Sequence, residues 1–151
     1  VNLFHPKSIF PELKAGMIPL PCGEFLQRFN NLLTSCGASA LPSPENSGYL
    51  VAEITNLEEH PLDEKQSIVT LSLGTKSLIT TTRYANLEIG ARVVIAVDGC
   101  IKFDGQQVKA TVIRNINKDA EICSPFDLRI GDESKKAYIE TIKQPGEDFF
   151  A

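Results

Sequence analysis

The feature that most constrains the fold of this chain is a series of five short segments rich in β-forming residues. They are predicted as strands over residues 49–55, 67–73, 76–82, 92–97 and 108–114. Gly74 begins a tight turn between the second and third segments, and Asp104-Gly105 leads into the fifth. The fourth segment is almost entirely apolar, which favours a buried strand. The chain is therefore predicted to be mainly β.

Five short strands joined by tight turns predict a small closed barrel, for which the five-stranded OB-fold is the commonest solution. A length of 151 residues is enough for one domain with a sizeable core. Residues 41–48 read Leu-Pro-Ser-Pro-Glu-Asn-Ser-Gly, which is a composition typical of a linker. We therefore place the barrel domain at residues 47–151 and a separate N-terminal region at residues 1–46.

The N-terminal region is predicted to be an extended arm followed by an amphipathic helix. Four prolines within residues 1–21 disfavour a regular element there. Over residues 23–36, apolar side chains recur at helical spacing, and Gly37 is placed to end the helix in a left-handed conformation. The helix is expected to cover the open end of the barrel, and docking to a partner is the alternative.

The arm is too apolar to be a free tail. Its apolar residues are Phe4, Ile9, Phe10, Leu13, Met17 and Ile18. We expect the arm to pack either on this domain or on another protein. Residues 4–33 are therefore the candidate surface for a protein partner.

The charge balance argues against strong, non-specific binding of nucleic acids. Fifteen lysines and arginines face 19 acids, which gives a net charge of −4 at pH 7. Local clusters of bases remain compatible with RNA binding. The longest aliphatic run, residues 93–97, is far shorter than the roughly 20 residues that a membrane-spanning helix needs. No association with a membrane is predicted.

The cysteine pattern predicts free thiols. Cys22, Cys36, Cys100 and Cys123 form no CxxC pair and no close cluster with the two histidines. Burial is the default expectation, because free cysteine behaves as a small hydrophobe. No metal and no cofactor are predicted. Thin cysteine usage and the lack of an Asn-x-Ser/Thr sequon indicate an intracellular, reducing compartment, either the cytoplasm or an organelle such as a plastid or mitochondrion.

No motif for catalysis is found in the sequence. It contains no GxxxxGK[ST], GxGxxG or HExxH pattern and no nucleophile motif. His60 precedes Pro61, which favours a structural role in a turn. The acidic residues between positions 58 and 64 lack the spacing and the glycine of a calcium loop. The protein is therefore predicted not to be an enzyme, and no catalytic residue is assigned.

Three passages of the barrel domain carry a resemblance to a known family. They are residues 58–65, residues 82–90 and residues 118–132, and they occur in the family's order and spacing. The matching positions are His60, Pro61, Lys65, Asn86, Gly90, Cys123, Ser124, Leu128 and Gly131. The departures are Arg83 for a glycine, Ala85 for a proline, and Ala120-Glu121 for a Gly-Met pair. From about Ser47 onward the chain resembles the tRNA-binding OB domain found in the phenylalanyl-tRNA synthetase beta subunit and in small stand-alone tRNA-binding proteins.

The resemblance implies a non-catalytic module that binds tRNA or another structured RNA. OB barrels bind nucleic acid through a positively charged groove with aromatic platforms. The candidate contacts are Arg83, Asn86, Lys102, Phe103, Lys109, Arg114, Asn115 and Ser124. Among them Phe103 is the stacking candidate, with a role in covering the barrel mouth as the alternative. The competing hypothesis is a structural or protein-interaction subunit of a larger complex, built on the same fold without RNA binding.

Self-association is also implied by the resemblance, because stand-alone family members are often dimeric through the region after the barrel. In this chain that region is residues 138–150. Its apolar candidates for a homodimer contact are Ile139, Ile142, Phe149 and Phe150.

Overall fold

A computed structural model of the protein describes residues 5–15, 19–20 and 22–151. The helices are α1 Pro6–Ile9 and α2 Gly23–Ser35. The strands are β1 Tyr49–Glu59, β2 Ser67–Ser72, β3 Ser77–Thr82, β4 Arg92–Val97, β5 Thr111–Ile113, β6 Ile116–Lys118, β7 Ala120–Ile122 and β8 Ile139–Glu140. Within these described residues, no helix has both the length and the apolar character needed to cross a membrane.

Five antiparallel strands form a nearly closed barrel in the order β3-β2-β1-β4-β7. The long strand β1 pairs with β4 through its first half and with β2 through its second half, and a bulge lies between Ile54 and Asn56. Closure occurs between β3 and β7, where the Asp119 N–H donates to the Ile79 carbonyl at 2.8 Å. The predicted mainly β, OB-type barrel is therefore confirmed.

The fifth strand of the barrel is not the predicted one. Residues 108–114 were expected to close the barrel, but only Thr111–Ile113 form a strand, and it pairs with β6 in a separate two-stranded ribbon. All three residues of β5 are exposed. The barrel position is taken by Ala120–Ile122, because there Ala120 and Ile122 can bury their side chains against the core.

Two apolar cores lie on opposite faces of β4. Val93 and Ile95 point into the barrel core, and Val94 and Ala96 point into a second core outside it, since successive side chains of a strand alternate between faces. This arrangement explains why β4 is apolar at every position after Arg92. The second core consists of Tyr49, Val94, Ala96, Cys100, Phe103, Val108, Cys123 and Leu128.

The C-terminal segment covers the second core and adds backbone pairing to β1. The Val51 N–H donates to the Glu147 carbonyl, and the Phe149 N–H donates to the Tyr49 carbonyl, each at 2.9 Å. The Phe150 ring meets the Tyr49 ring edge-on at a centroid distance of 5.3 Å. Two of the apolar candidates for a dimer contact, Phe149 and Phe150, therefore pack within their own chain.

The described part of the arm packs on α2. Phe10 is buried and its ring stacks on the Phe25 ring at 4.5 Å. Helix α2 ends one residue earlier than predicted. Gly37, with φ of 78°, provides the predicted left-handed cap, and the Ala38 N–H donates to the Leu33 carbonyl at 2.9 Å. Of the arm residues named above, Phe4, Met17 and Ile18 lie outside the described residues.

The four thiols differ in exposure. Cys100 and Cys123 are buried as expected, whereas Cys22 is half-buried and Cys36 is exposed. Cys36 is exposed because it follows the last turn of α2. Burial raises the pKa of the Cys100 thiol to about 11.

Candidate nucleic-acid interface

Two adjoining grooves lie on the side of the barrel where β3, β6 and β7 come together. The first groove has a volume of about 470 Å³ and is lined by Gln66, Thr82, Arg83, Tyr84, Lys118 and Glu121. The second groove has a volume of about 250 Å³ and is lined by Gln107, Val108, Lys109, Thr111, Ile113, Lys118, Ala120 and Glu121. Because Lys118 and Glu121 line both, the grooves form one continuous surface.

The ribbon of β5 and β6 positions two of the candidate contacts beside the second groove. Arg114 and Asn115 are the two residues of its turn, and both have left-handed backbones, with φ of 52° and 66°. This is the backbone of a two-residue hairpin turn whose twist matches the flanking strands. Both side chains are exposed. The turn follows directly on Ile113, which lines the second groove.

The bases along the grooves are available to a ligand. The Arg83 side chain is 72% exposed, and its nearest acid is Asp63 at 3.8 Å. Within the described residues, Lys109, Arg114 and Lys118 form no ion pair with a carboxylate at 4.0 Å or less. Arg83 and Lys109 lie in different grooves and are connected by the shared Lys118.

Lys102 differs from these bases because its charge is already paired. Its ammonium donates to the Glu121 carboxylate at 2.8 Å, and its side chain is only 17% exposed. Burial lowers the pKa of Lys102, but the hydrogen bond and the negative charge of Glu121 outweigh it, so that the net shift is upward. Lys102 is therefore a charged partner of Glu121 and lines neither groove.

Asn86 connects two parts of the backbone. Its side-chain amide donates to the Ala137 carbonyl at 3.0 Å and accepts from the Ala137 N–H at 2.9 Å. Both functional ends of the amide are thus occupied within the protein. The family match at this position has a structural explanation in the fold.

Ser124 and Phe103 are also engaged inside the protein. Ser124 is 1% exposed, and both its N–H and its hydroxyl donate to Asp127 at 2.9 Å. Phe103 is 5% exposed and stacks on the Tyr49 ring at 5.5 Å. Ser124 is thus held by hydrogen bonds inside the protein, and Phe103 is packed in the second core and lines neither of the two grooves.

Lys118 and Tyr84 line the grooves and were not among the sequence-based candidates. Lys118 lies in the passage 118–132, which resembles the family at other positions. The adjacent Asp119 removes any local excess of positive charge. Tyr84 is an isolated aromatic residue in the sequence. Its hydroxyl donates to Asp127 at 3.1 Å, and burial raises its pKa to about 12. Lys118 reaches the site on β6, and Tyr84 follows the end of β3 by two residues. No local sequence pattern shows that these two parts of the chain meet.

Three acids that lie close to the candidate bases in the sequence bond to the backbone of the protein. Asp98 accepts from the Ala110 N–H at 2.7 Å, Asp104 accepts from the Gln106 N–H at 2.9 Å, and Asp119 accepts from the Ile79 N–H at 2.9 Å. None of the three lines either groove. Glu121 is the carboxylate that lies among the bases.

Comparison with known proteins finds relatives whose names refer to tRNA. YtpR from Bacillus subtilis, which carries the name of a tRNA-binding protein, is 25% identical over 132 residues. The phenylalanine–tRNA ligase beta subunit of Haemophilus ducreyi is 28% identical over 99 residues. These matches confirm the resemblance to the tRNA-binding OB domain family. No protein-family model matches the chain.

The extent of these family matches differs between the relatives. The YtpR match covers 87% of this chain and 65% of YtpR. The ligase match covers 65% of this chain and only 12% of the ligase subunit. Among solved structures, a MetRS-related protein from Pyrococcus horikoshii matches with a TM-score of 0.45 and 12% identity, covering 65% of this chain and 84% of that one.

Proposed function

We propose that this chain is a non-catalytic RNA-binding module with tRNA as its preferred ligand, acting alone or as an accessory domain. The observation that carries the proposal is the continuous surface of the two grooves, with Arg83, Lys109 and Lys118 along it and Arg114 beside it. The names of the relatives, which refer to tRNA, support the choice of ligand.

The four bases would act on the RNA backbone. Each guanidinium or ammonium can pair with a phosphate and release a counterion, and such contacts position an RNA without reading its sequence. The exposed ribbon that carries Arg114 and Asn115 extends this surface beyond the barrel. A net charge of −4 keeps the rest of the protein from binding polyanions generally.

A titration with bulk tRNA at about 50 and 200 mM salt tests the proposal. Four phosphate contacts predict that the affinity falls roughly 50- to 150-fold between the two salt concentrations. We expect a dissociation constant in the micromolar range or below at the lower concentration. Absence of binding at 50 mM salt would contradict the proposal.

The competing candidate, a protein-interaction subunit, is favoured by a different surface. An apolar groove of about 390 Å³ lies between the start of α2 and the second core. It is lined in part by Leu20, Phe25, Phe103, Ile130 and Phe150. Absence of RNA binding together with retention in a larger complex would support this candidate. Leu20 and Phe25 belong to the candidate partner surface named from the sequence.

A further inference from the structure

A carboxylate lies in the middle of the proposed RNA-binding surface. Glu121 is the acid that lines both grooves, with a side chain that is 36% exposed. Its position on β7 directs it to the outside of the barrel, between the buried Ala120 and Ile122. A negative charge at this place repels phosphates and therefore lowers the affinity for any RNA backbone.

The bond with Lys102 leaves most of the carboxylate free. An ionised carboxylate has two oxygens with about four lone-pair sites. The Lys102 ammonium occupies one of them, at 2.8 Å from Oε2. The bond fixes the orientation of Glu121, and the remaining sites can accept hydrogen bonds from a ligand in the grooves.

The first groove offers the other groups that recognition of a nucleotide requires. Tyr84 supplies an aromatic wall, and Arg83 and Lys118 supply positive charge for the flanking phosphates. Gln66 supplies an amide, which is held by Asp63 at 2.8 Å. The volume of about 470 Å³ falls within the range of roughly 300–1,000 Å³ that is usual for small-ligand sites.

We propose that the first groove holds one unpaired guanine of the RNA and that Glu121 reads its Watson–Crick edge. This inference rests on the proposed RNA-binding function. Unpaired bases are commonly recognised by stacking on aromatic side chains and by hydrogen bonds to their edges. Guanine presents two adjacent donors, N1–H and the N2 amino group, which match the two oxygens of a carboxylate. Uracil presents only one donor on that edge.

The test compares three RNA dodecamers: all uridine, uridine with one central guanosine, and uridine with one central inosine. Inosine lacks the N2 amino group and keeps N1–H, so it removes one donor without any change in the protein. We expect the wild-type protein to bind the guanosine RNA at least about fivefold more tightly than either of the others. In Glu121→Gln the three affinities should differ by less than about twofold, while binding of the uridine RNA should not weaken.

Glu88→Gln is the matched control, because Glu88 is exposed, lines neither groove and undergoes the same change of charge. It should keep the guanosine preference of the wild type. Equal binding of all three RNAs by the wild type would overturn the inference, and so would a guanosine preference that survives Glu121→Gln. Failure of the RNA-binding proposal is distinguishable, since the wild type would then bind neither the dodecamers nor tRNA.

Discussion

A Cβ atom at Gly48 would lie 2.8 Å from both Cβ and Sγ of Cys100. Gly48 also has a φ of 88°, a left-handed conformation that side chains with a Cβ rarely adopt. It stands directly before β1, where the Val97 N–H donates to its carbonyl at 2.9 Å. The start of the barrel and the second core therefore meet at a position that only glycine fits.

Gly48→Ala is expected to destabilise the fold strongly. The left-handed backbone should cost about 1–2 kcal/mol and the contact with Cys100 about 1–3 kcal/mol more. Urea denaturation measures the loss in the free energy of unfolding. Gly90→Ala is the control, because Gly90 has a φ of 89° but nothing within 4 Å of an added Cβ. Equal losses in the two variants would show that the contact with Cys100 carries no cost.

The first four strands were predictable because each combines β-forming residues with burial. Strand β1 continues to Glu59, four residues past the predicted end, because its last part pairs with β2 while its side chains are mostly exposed. The fifth barrel strand escaped prediction because it has only three residues, Ala120–Ile122. Residues 108–114 have the stronger β pattern, but part of them pairs with β6 across the two-residue turn and forms the separate ribbon.

The sequence could identify residues of the candidate site only where they are bases on an exposed turn or strand. Arg83 and Lys109 line the grooves, and Arg114 lies beside the second groove. These three bases were candidates because their positions in the sequence suggested exposure. Asn86 and Ser124 match the family but bond within the protein, and a single sequence cannot separate a residue that holds the fold from one that holds a ligand.

Asn86→Ala is expected to lower stability and leave RNA binding intact. Ala137 is 5% exposed, and its N–H and carbonyl both lose their partner in the variant. The expected loss in the free energy of unfolding is about 2–3 kcal/mol. Asn117→Ala, at an exposed position of β6, should cost far less. A loss of tRNA affinity in Asn86→Ala at a temperature where it is fully folded would contradict the structural role.

Lys109→Gln and Arg114→Gln are expected to weaken tRNA binding without changing stability. Each substitution removes one phosphate contact, so the slope of log affinity against log salt should become shallower by about 1. Lys76→Gln is the control, because Lys76 is exposed in the turn between β2 and β3 and lines neither groove. An unchanged salt slope in Lys109→Gln or Arg114→Gln would place the RNA elsewhere on the protein.

We propose that the chain self-associates through the apolar residues that its C-terminal segment leaves exposed. Ile142 is 83% exposed and Ile139 is 36% exposed, whereas Phe149 and Phe150 pack in the second core. Sedimentation at tens of micromolar should show a dimer for the wild type and a monomer for Ile142→Glu. Ile89→Glu, at a position 64% exposed outside the segment, should remain dimeric. A monomeric wild type would refute this proposal.

Glu140 should make stability depend on pH in the acid range. It is 6% exposed, and its Oε1 accepts from the N–H groups of Thr141 and Ile142, each at 2.7 Å. Burial alone would raise its pKa, but these hydrogen bonds, the N–H of Lys143 and the charge of Arg92 lower the pKa below the ordinary value of 4.5. The folded state thus favours the ionised carboxylate more than the unfolded state does.

The contribution of ionised Glu140 to the free energy of unfolding is therefore full above pH 4.5. It is lost as the pH falls through the lowered pKa of Glu140 in the folded protein. Glu140→Gln should reduce the free energy of unfolding by about 1–2 kcal/mol at pH 7. The difference from the wild type should shrink steadily in urea denaturation series carried out from pH 5 to pH 3. Glu88→Gln, whose side chain is exposed, should show no such pH-dependent difference. A constant difference over this range would mean that the charge of Glu140 adds nothing to the hydrogen bonds.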